Sequence, residues 1–376
     1  MARGKSTPEE IPLRSDPAKR LRDLLGPLTH KHVGFVERLR AHYVSTDRDE
    51  RLKAEIELMI ENAVQRVDPE RPYGAGNRHE GTAVAIIGAS GAGKTKAMRR
   101  YLMNNVFFPD YGNPDAASQW ITIGVKAPCT LRQLGMATLR AAGYGSLRQW
   151  RENEAWPQAH FMIAEQDILF LHYEEAQRII RQKNVDVRQQ IVETLAGLMT
   201  DPVWPLHLVL SGLPEIQRLF QDDFLPARKA ATELDAHATL KRRTRFVDFH
   251  PIDLDADRKD LNDGLKAYEK LARVSLSVVK KAEPRARLSH AAARQLGLFF
   301  ELTVLAIDVC VRAGRKVVTL DDYADGYAAR TREPIELNPF IVDHWESIDT
   351  SVIQRRPEQD EDDTPPGKPE RRRSEK

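Results

Sequence analysis

Residues Thr82 to Tyr101 read TAVAIIGASGAGKTKAMRRY, an apolar run that breaks into a glycine-rich turn ending in Lys-Thr. Gly88 to Thr95 fits G-x-x-x-x-G-K-[ST] at every fixed position, with a strand-like stretch before it and a helical pattern after it. Ala83 to Ile87 has the composition of a buried strand. Gly88, Gly91 and Gly93 allow a turn tight enough to aim successive backbone N–H groups at phosphate oxygens. A helix beginning near Lys94 adds the positive end of its dipole at the same place. The expected phosphate cradle is therefore Gly88, Ala89, Ser90, Gly91, Ala92, Gly93, Lys94 and Thr95. In it Lys94 is expected to reach the β and γ phosphates of a nucleoside triphosphate, and the Thr95 hydroxyl to take a position on Mg²⁺.

Outward from this loop, apolar runs alternate with helical patterns. Upstream, Val33, Phe35, Val36, Leu39 and Tyr43, then Leu52, Ile56, Met59, Ile60 and Val64, predict two helices, and Asp68 to Glu80 is a Pro- and Gly-bearing loop. Downstream, strands are expected at Gln119 to Val125, Ile168 to Tyr173, Leu206 to Ser211 and Phe246 to Phe249. Helices are expected from Thr130 to about Ala142 and from Val185 to Met199. Such alternation predicts an α/β fold of the P-loop NTPase kind, a parallel sheet with helices on both faces. Beyond Pro251 the pattern is wholly helical and carries a Thr319-x-x-Asp322 capping box, which predicts a small helical lid. The expected division is a mobile arm over 1–20, a helical segment over 21–80, the nucleotide-binding core over 81–255, the lid over 256–330 and an extended, mostly disordered tail over 331–376.

Composition limits the function classes. Lys+Arg 57 against Asp+Glu 55 in 376 residues leaves the molecule nearly balanced, so any nucleic-acid surface has to come from local clustering. Cys129 and Cys310 form no ligand-spaced pair, which fits a reducing cytoplasm and no structural zinc. Leu296 to Val311, the most apolar long stretch, contains Glu301 and Asp308 and is not expected to span a membrane. The first twenty residues are charged and proline-bearing, unlike a signal peptide.

In a parallel sheet, ligands sit at the carboxyl ends of the strands, so acids that end a strand are the ones to weigh. Glu174 and Glu175 qualify, and Asp167 does not. Glu174 is assigned to the metal and Glu175 to the attacking water. Ser211 closes the next strand, within reach of a γ phosphate or the water. In the basic cluster Lys241, Arg242, Arg243 and Arg245, Arg243 is the candidate to reach a neighbouring copy's γ phosphate, with Arg242 and Arg245 as competing choices. His172 and Tyr173 read as packing or supporting residues. Lys126, Thr130 and Arg132 follow the second strand, where a loop can track a phosphate backbone.

GASGAGKT, the EEAQ of Glu174 to Gln177, LVLSGLPEIQRLF from Leu208 to Phe220 and KRRTRFVDFHPI from Lys241 to Ile252 together resemble the AAA+ ATPases of the TniB/TnsC transposition group and their ExeA-like relatives. The resemblance covers roughly Gly81 to Asp325. It implies an AAA+ core with a helical lid, ATP and Mg²⁺, homo-oligomers assembled on double-stranded DNA, and a partnership with a transposase and target-selection proteins. By the same resemblance Lys94 and Thr95 match the Walker A pair, Glu175 the catalytic glutamate, Ser211 the sensor and Arg243 the finger arginine, eight positions before Pro251. ExeA-like relatives imply an alternative, a motor of a secretion or envelope assembly, and a third reading is a nucleotide-dependent scaffold without turnover. Two departures stand out. Glu174 replaces the usual Asp and lengthens the metal-side arm by one methylene, which implies slow hydrolysis. GLFFELTVLA, from Gly297 to Ala306, lacks the usual lid arginine, and Arg294 is the candidate for a displaced second sensor.

Overall fold

The structure is a computed structural model that describes residues 16–354 apart from 114, 115, 117, 146, 147, 149 and 222–230. Its centre is β1 (Ala83–Gly88), buried along its whole length. The two-residue period of a strand sends Ala83, Ala85 and Ile87 into one apolar layer and Val84 and Ile86 into the other. Around it stand β2 (Trp120–Gly124), β3 (Phe170–Glu174), β4 (His207–Gly212) and β5 (Thr244–Phe249). All pairings are parallel, in the order β2-β3-β4-β1-β5. The register sets Glu174 beside Ser211 and Ile87 beside Gly212, so the strand-end residues gather at one edge of the sheet.

Helices cover both faces, as parallel strands require. At the amino end, α1 (Pro17–Asp23) has no buried residue, and α2 (Pro27–Ala41) buries Leu39 in the lid. Then α3 (Asp47–Ala63) and α4 (Lys94–Met103) cover the Val84 and Ile86 face with Leu52, Ile56, Met59, Met98 and Leu102. The opposite face is covered by α5 (Leu131–Ala141), α6 (Glu152–Glu165), the short α7 (Gln177–Ile180), α8 (Val185–Met199) and α9 (Ala231–Arg242). Fully burying one such Leu or Ile side chain contributes about 1.5–3 kcal/mol, which makes these two layers the main adhesive of the core.

The lid holds its own apolar core, built from α10 (Arg258–Ala272), α11 (Ala282–Ala291), α12 (Leu296–Arg312) and α13 (Leu320–Thr331). Arg48 on α3 ties lid to core: its guanidinium donates to both Asp257 carboxylate oxygens, at 3.1 and 2.8 Å, and to the His250 carbonyl at 3.2 Å.

Four sequence expectations need correction. The arm expected over 1–20 gives way to helix at Pro17, where the Asp16 carboxylate accepts the Ala18 N–H; residues 1–15 lie outside the described ones. Of the two helices expected to lead into the core, only α3 packs on the sheet, whereas α2 packs on the lid. The sequence reading has no counterpart to α6, because Pro157 stands inside it and interrupts the pattern. Residues 331–354, expected to be extended, pack on the lid: Phe340 and Ile353 join its core, and Arg287 donates to the Pro339 and Val342 carbonyls. The rest of the expected tail, 355–376, lies outside the described residues.

Candidate functional site

A cleft of about 610 Å³ opens between the strand ends, the lid and the crossover from α2 to α3. Its floor is the glycine loop. Gly91 (φ 81) and Gly93 (φ 101) take left-handed backbone conformations that a side chain resists. Gly88 is required for a different reason: a Cβ there would stand 2.8 Å from the Phe249 Cβ. The Lys94 ammonium folds back over the loop and donates to the Gly88 and Ala89 carbonyls at 2.7 and 3.0 Å. Helix α4 begins at Lys94 with no side-chain cap, so its first N–H groups and its positive dipole end face the cleft.

Thr95, Glu174, Glu175 and Ser211 line the same cleft. The Thr95 hydroxyl and the Glu174 carboxylate are hard oxygen donors, the set Mg²⁺ prefers, and these two residues would hold it. A bound Mg²⁺ would neutralise charge on the phosphates. Glu175 follows β3 in a left-handed conformation (φ 59), and its carboxylate accepts a hydrogen bond from Gln177 Nε2 at 2.5 Å. Ser211 is held from behind. Its hydroxyl lies 2.8 Å from Nε2 of the buried His172, whose Nδ1 is 3.4 Å from the Thr122 hydroxyl. Burial pushes the His172 imidazole down to about 3, so it is neutral and meets Ser211 as a polar partner, not as a charge. Tyr173 points the other way, its hydroxyl 3.1 Å from that of Thr138.

The remaining predicted residues lie elsewhere. Arg243 precedes β5 at the opposite edge of the sheet, where its guanidinium pairs with Glu80 and its carbonyl accepts the Ala83 N–H. Arg245 lies 3.6 Å from Glu55, whereas Arg242 is exposed and has no polar partner among the described residues. Arg294 does not serve as a second sensor in the cleft: its guanidinium is held by the Ile252 carbonyl at 3.0 and 3.1 Å. The lid instead presents Glu301 to the cleft, paired with Arg330 at 3.0 Å. Thr130 caps α5 in a box with Gln133, and Arg132 donates to the Trp150 carbonyl, so local structure engages two of the three residues proposed to contact DNA. Lys126 is exposed.

Sequence reasoning missed the cleft's apolar wall. Tyr43 and Val44, in the crossover from α2 to α3, line the cleft together with Tyr268, Phe300 and Val304 of the lid. Tyr268 and Phe300 stack with centroids 5.5 Å apart. Only the Thr46-x-x-Asp49 capping box hinted that this crossover is fixed; the Asp49 carboxylate also accepts the Tyr43 hydroxyl. An apolar slot beside a phosphate cradle suits the flat base of a nucleotide.

No family model matches the sequence, and no curated protein matches it. Solved structures do. The chain is similar to Cdc6p from Pyrobaculum aerophilum (14% identity, TM-score 0.50, covering 77% of this chain and 70% of that one). It is similar to the ORC2 protein of Aeropyrum pernix in its ADPNP-ADP complexes (13% identity, TM-score 0.50, 78% and 71%). The ORC1 protein of Aeropyrum pernix in complex with DNA also matches (14% identity, TM-score 0.49), covering 74% of this chain, which spans 65% of that one. Among the described residues, no helix is long and apolar enough to cross a membrane. With its strand order, glycine loop and helical lid, the chain has the P-loop NTPase fold of the AAA+ class.

Proposed function

We propose that the chain is an ATPase that binds ATP and Mg²⁺ in this cleft and assembles with copies of itself on double-stranded DNA, hydrolysis controlling the assembly. One observation carries the reading: Lys94, Thr95, Glu174, Glu175 and Ser211 share one cleft, while the basic end of α9 lies at the far edge of the sheet, out of reach of that cleft. A triphosphate site with a metal-side carboxylate and a second carboxylate for the water, lined by Arg40 and Arg99 of its own but by none of the α9 arginines, is an arrangement that a neighbouring subunit's basic edge can complete. Lys94 would hold the β and γ phosphates, Thr95 and Glu174 the metal, Glu175 the water and Ser211 the γ phosphate. The longer Glu174 arm in a metal geometry as strict as that of Mg²⁺ favours slow turnover.

The finer reading is a regulator of DNA transposition that links target DNA to a transposase and to target-selection proteins. It is supported by the four segments that resemble the TniB/TnsC group. DNA contacts through Lys126, Thr130 and Arg132 would be made to phosphate, and therefore be salt-sensitive and largely independent of sequence.

The test is assembly. With a non-hydrolysable ATP analogue and duplex DNA, the purified protein should form large particles by light scattering and electron microscopy, and a Lys94→Ala variant should not. A parent protein that stays monomeric under these conditions, or a variant that assembles as the parent does, defeats the reading.

A further inference from the structure

Gln177 is the first residue of α7, is 1% exposed, and uses both ends of its carboxamide. Nε2 donates to the Glu175 carboxylate at 2.5 Å, and Oε1 accepts the Leu213 N–H at 3.1 Å. The amide orientation is forced: turned over, its oxygen would face a carboxylate and its NH₂ group an N–H. Packing leaves it no room to drift, since a Cβ on Gly212 would stand 2.5 Å from Gln177 Oε1. Two more bonds join the same segments. Ala176 N–H donates to the Ser211 carbonyl at 3.0 Å, and Arg181 donates twice to Glu215, at 2.5 and 3.0 Å. The turn after β3 and the turn after β4 are therefore one unit.

We propose that Gln177 is the positioning residue that couples Glu175 to the turn after β4, so that the place of the carboxylate depends on where that turn stands. The proposal rests on the hydrolytic reading given above. Contacts extend the link beyond Leu213. The turn continues into the 3₁₀ segment Pro214–Phe220, where the Leu219 carbonyl accepts from Nε2 of His237 on α9 at 2.8 Å, and Phe220 meets the ring of Phe246 edge-on at 5.1 Å. Helix α9 ends at Arg242, at the edge of the sheet proposed to face the next subunit. Displacing that edge on assembly moves the 3₁₀ segment, the Leu213 N–H and, through Gln177, Glu175. A left-handed backbone at Glu175 persists only while its surroundings hold it, so a small shift of Gln177 suffices to reorient the side chain.

The experiment measures phosphate release by the full chain with and without a mixed-sequence DNA duplex, together with binding of a fluorescent ATP analogue. Gln177→Met keeps the volume and removes both hydrogen bonds. The expected result is analogue binding within about twofold of the parent and DNA stimulation of kcat reduced at least about tenfold, toward none. If Gln177→Met does not reach the parent's Tm, Leu213→Pro decides. Leu213 already has φ −71, so the backbone accepts proline there, and the ring Cδ takes the place of the N–H, breaking this bond and pushing Gln177 Oε1 away from the turn. The same loss of stimulation is expected. DNA stimulation undiminished in either folded variant overturns the role of Gln177 and leaves the ATPase reading standing. A parent that binds the analogue but releases no phosphate, with or without DNA, overturns the hydrolytic reading and this proposal together.

Discussion

Gly297 at the start of α12 lies so close to Gly91 of the glycine loop that a Cβ on it would stand 2.5 Å from the Gly91 carbonyl oxygen. The contact is reciprocal, because a Cβ on Gly91 would meet Leu298 Cγ at 2.3 Å. The lid thus seats directly on the phosphate loop, and this seat sets the distance from the phosphate cradle to the Tyr268 and Phe300 wall. A Gly297→Val substitution forces the seat open. Overpacking of this kind costs about 1–3 kcal/mol, and lost registry between cradle and wall is expected to weaken ATP-analogue binding about tenfold. Titration of the analogue by calorimetry checks it; an unchanged affinity means that the wall does not hold the base.

Ser211 depends on His172 for its orientation, since the imidazole is its buried hydrogen-bond partner at 2.8 Å. His172→Phe fills the space but frees the hydroxyl to rotate. For a group that contacts the γ phosphate chiefly as it is transferred, the expected signature is a kcat lowered about 10- to 100-fold with KM nearly unchanged. Steady-state kinetics separate the two parameters. A rise in KM alone would make Ser211 a ground-state binding residue instead.

The Glu174 arm can be tested by shortening it. Glu174→Asp keeps the charge and removes one methylene, so it is expected to raise phosphate release several-fold at saturating Mg²⁺ if metal placement limits turnover. A lower rate in the variant means that the cleft is built around the longer side chain.

The glycine loop, the strand-end acids and the parallel sheet were legible because each is a local pattern with a fixed spacing. Ala83 to Gly88 is apolar on both faces, and Glu174 follows a run that can only be buried. The apolar wall was not legible, because Val44 and Phe300 are brought together by packing against the lid, which no spacing encodes. Nor was the anchoring of 331–354, where Arg287 reaches carbonyls of a chain segment that has little regular structure. Arg294 illustrates the converse. Its residue type and place suited a sensor, but a left-handed turn (φ 57) delivers its guanidinium to Ile252 instead.

Arg243 and Arg242 now separate by environment. Arg243 pairs with Glu80 within its own subunit and would have to break that pair to reach a neighbour, whereas Arg242 is exposed and has no polar partner among the described residues. Arg242→Ala is therefore expected to cut DNA-stimulated hydrolysis more deeply than Arg243→Ala. The Arg243 and Glu80 pair is partly solvated, so breaking it should change stability by only about 0–1 kcal/mol. Mixing Arg242→Ala with Glu175→Gln subunits distinguishes action on a neighbour from action in place. A Glu175→Gln subunit lends its arginine to an Arg242→Ala subunit whose Glu175 is intact, so activity should reappear in the mixture. No recovery, or a deeper loss in Arg243→Ala, returns the role to Arg243.

Two buried histidines set the response to acid. Burial holds His172 down to about 3 and His207 down to about 4, and His207 Nδ1 accepts the Thr82 N–H at 3.1 Å, so that nitrogen carries no proton in the fold. The unfolded chain protonates both near 6.5, the folded chain only well below. Between those limits the unfolded state binds more protons, and stability falls as pH falls. It is full above pH 6.5 and declines by up to about 1.4 kcal/mol per pH unit for each histidine as the pH drops toward 4. Denaturant titrations at pH 7, 6 and 5 should give a steepening loss, and a folded His207→Asn variant should show about half the slope attributable to the pair. A slope in the variant equal to the parent's would mean that His207 is not held neutral by the fold, and that carboxylates alone govern the acid limb.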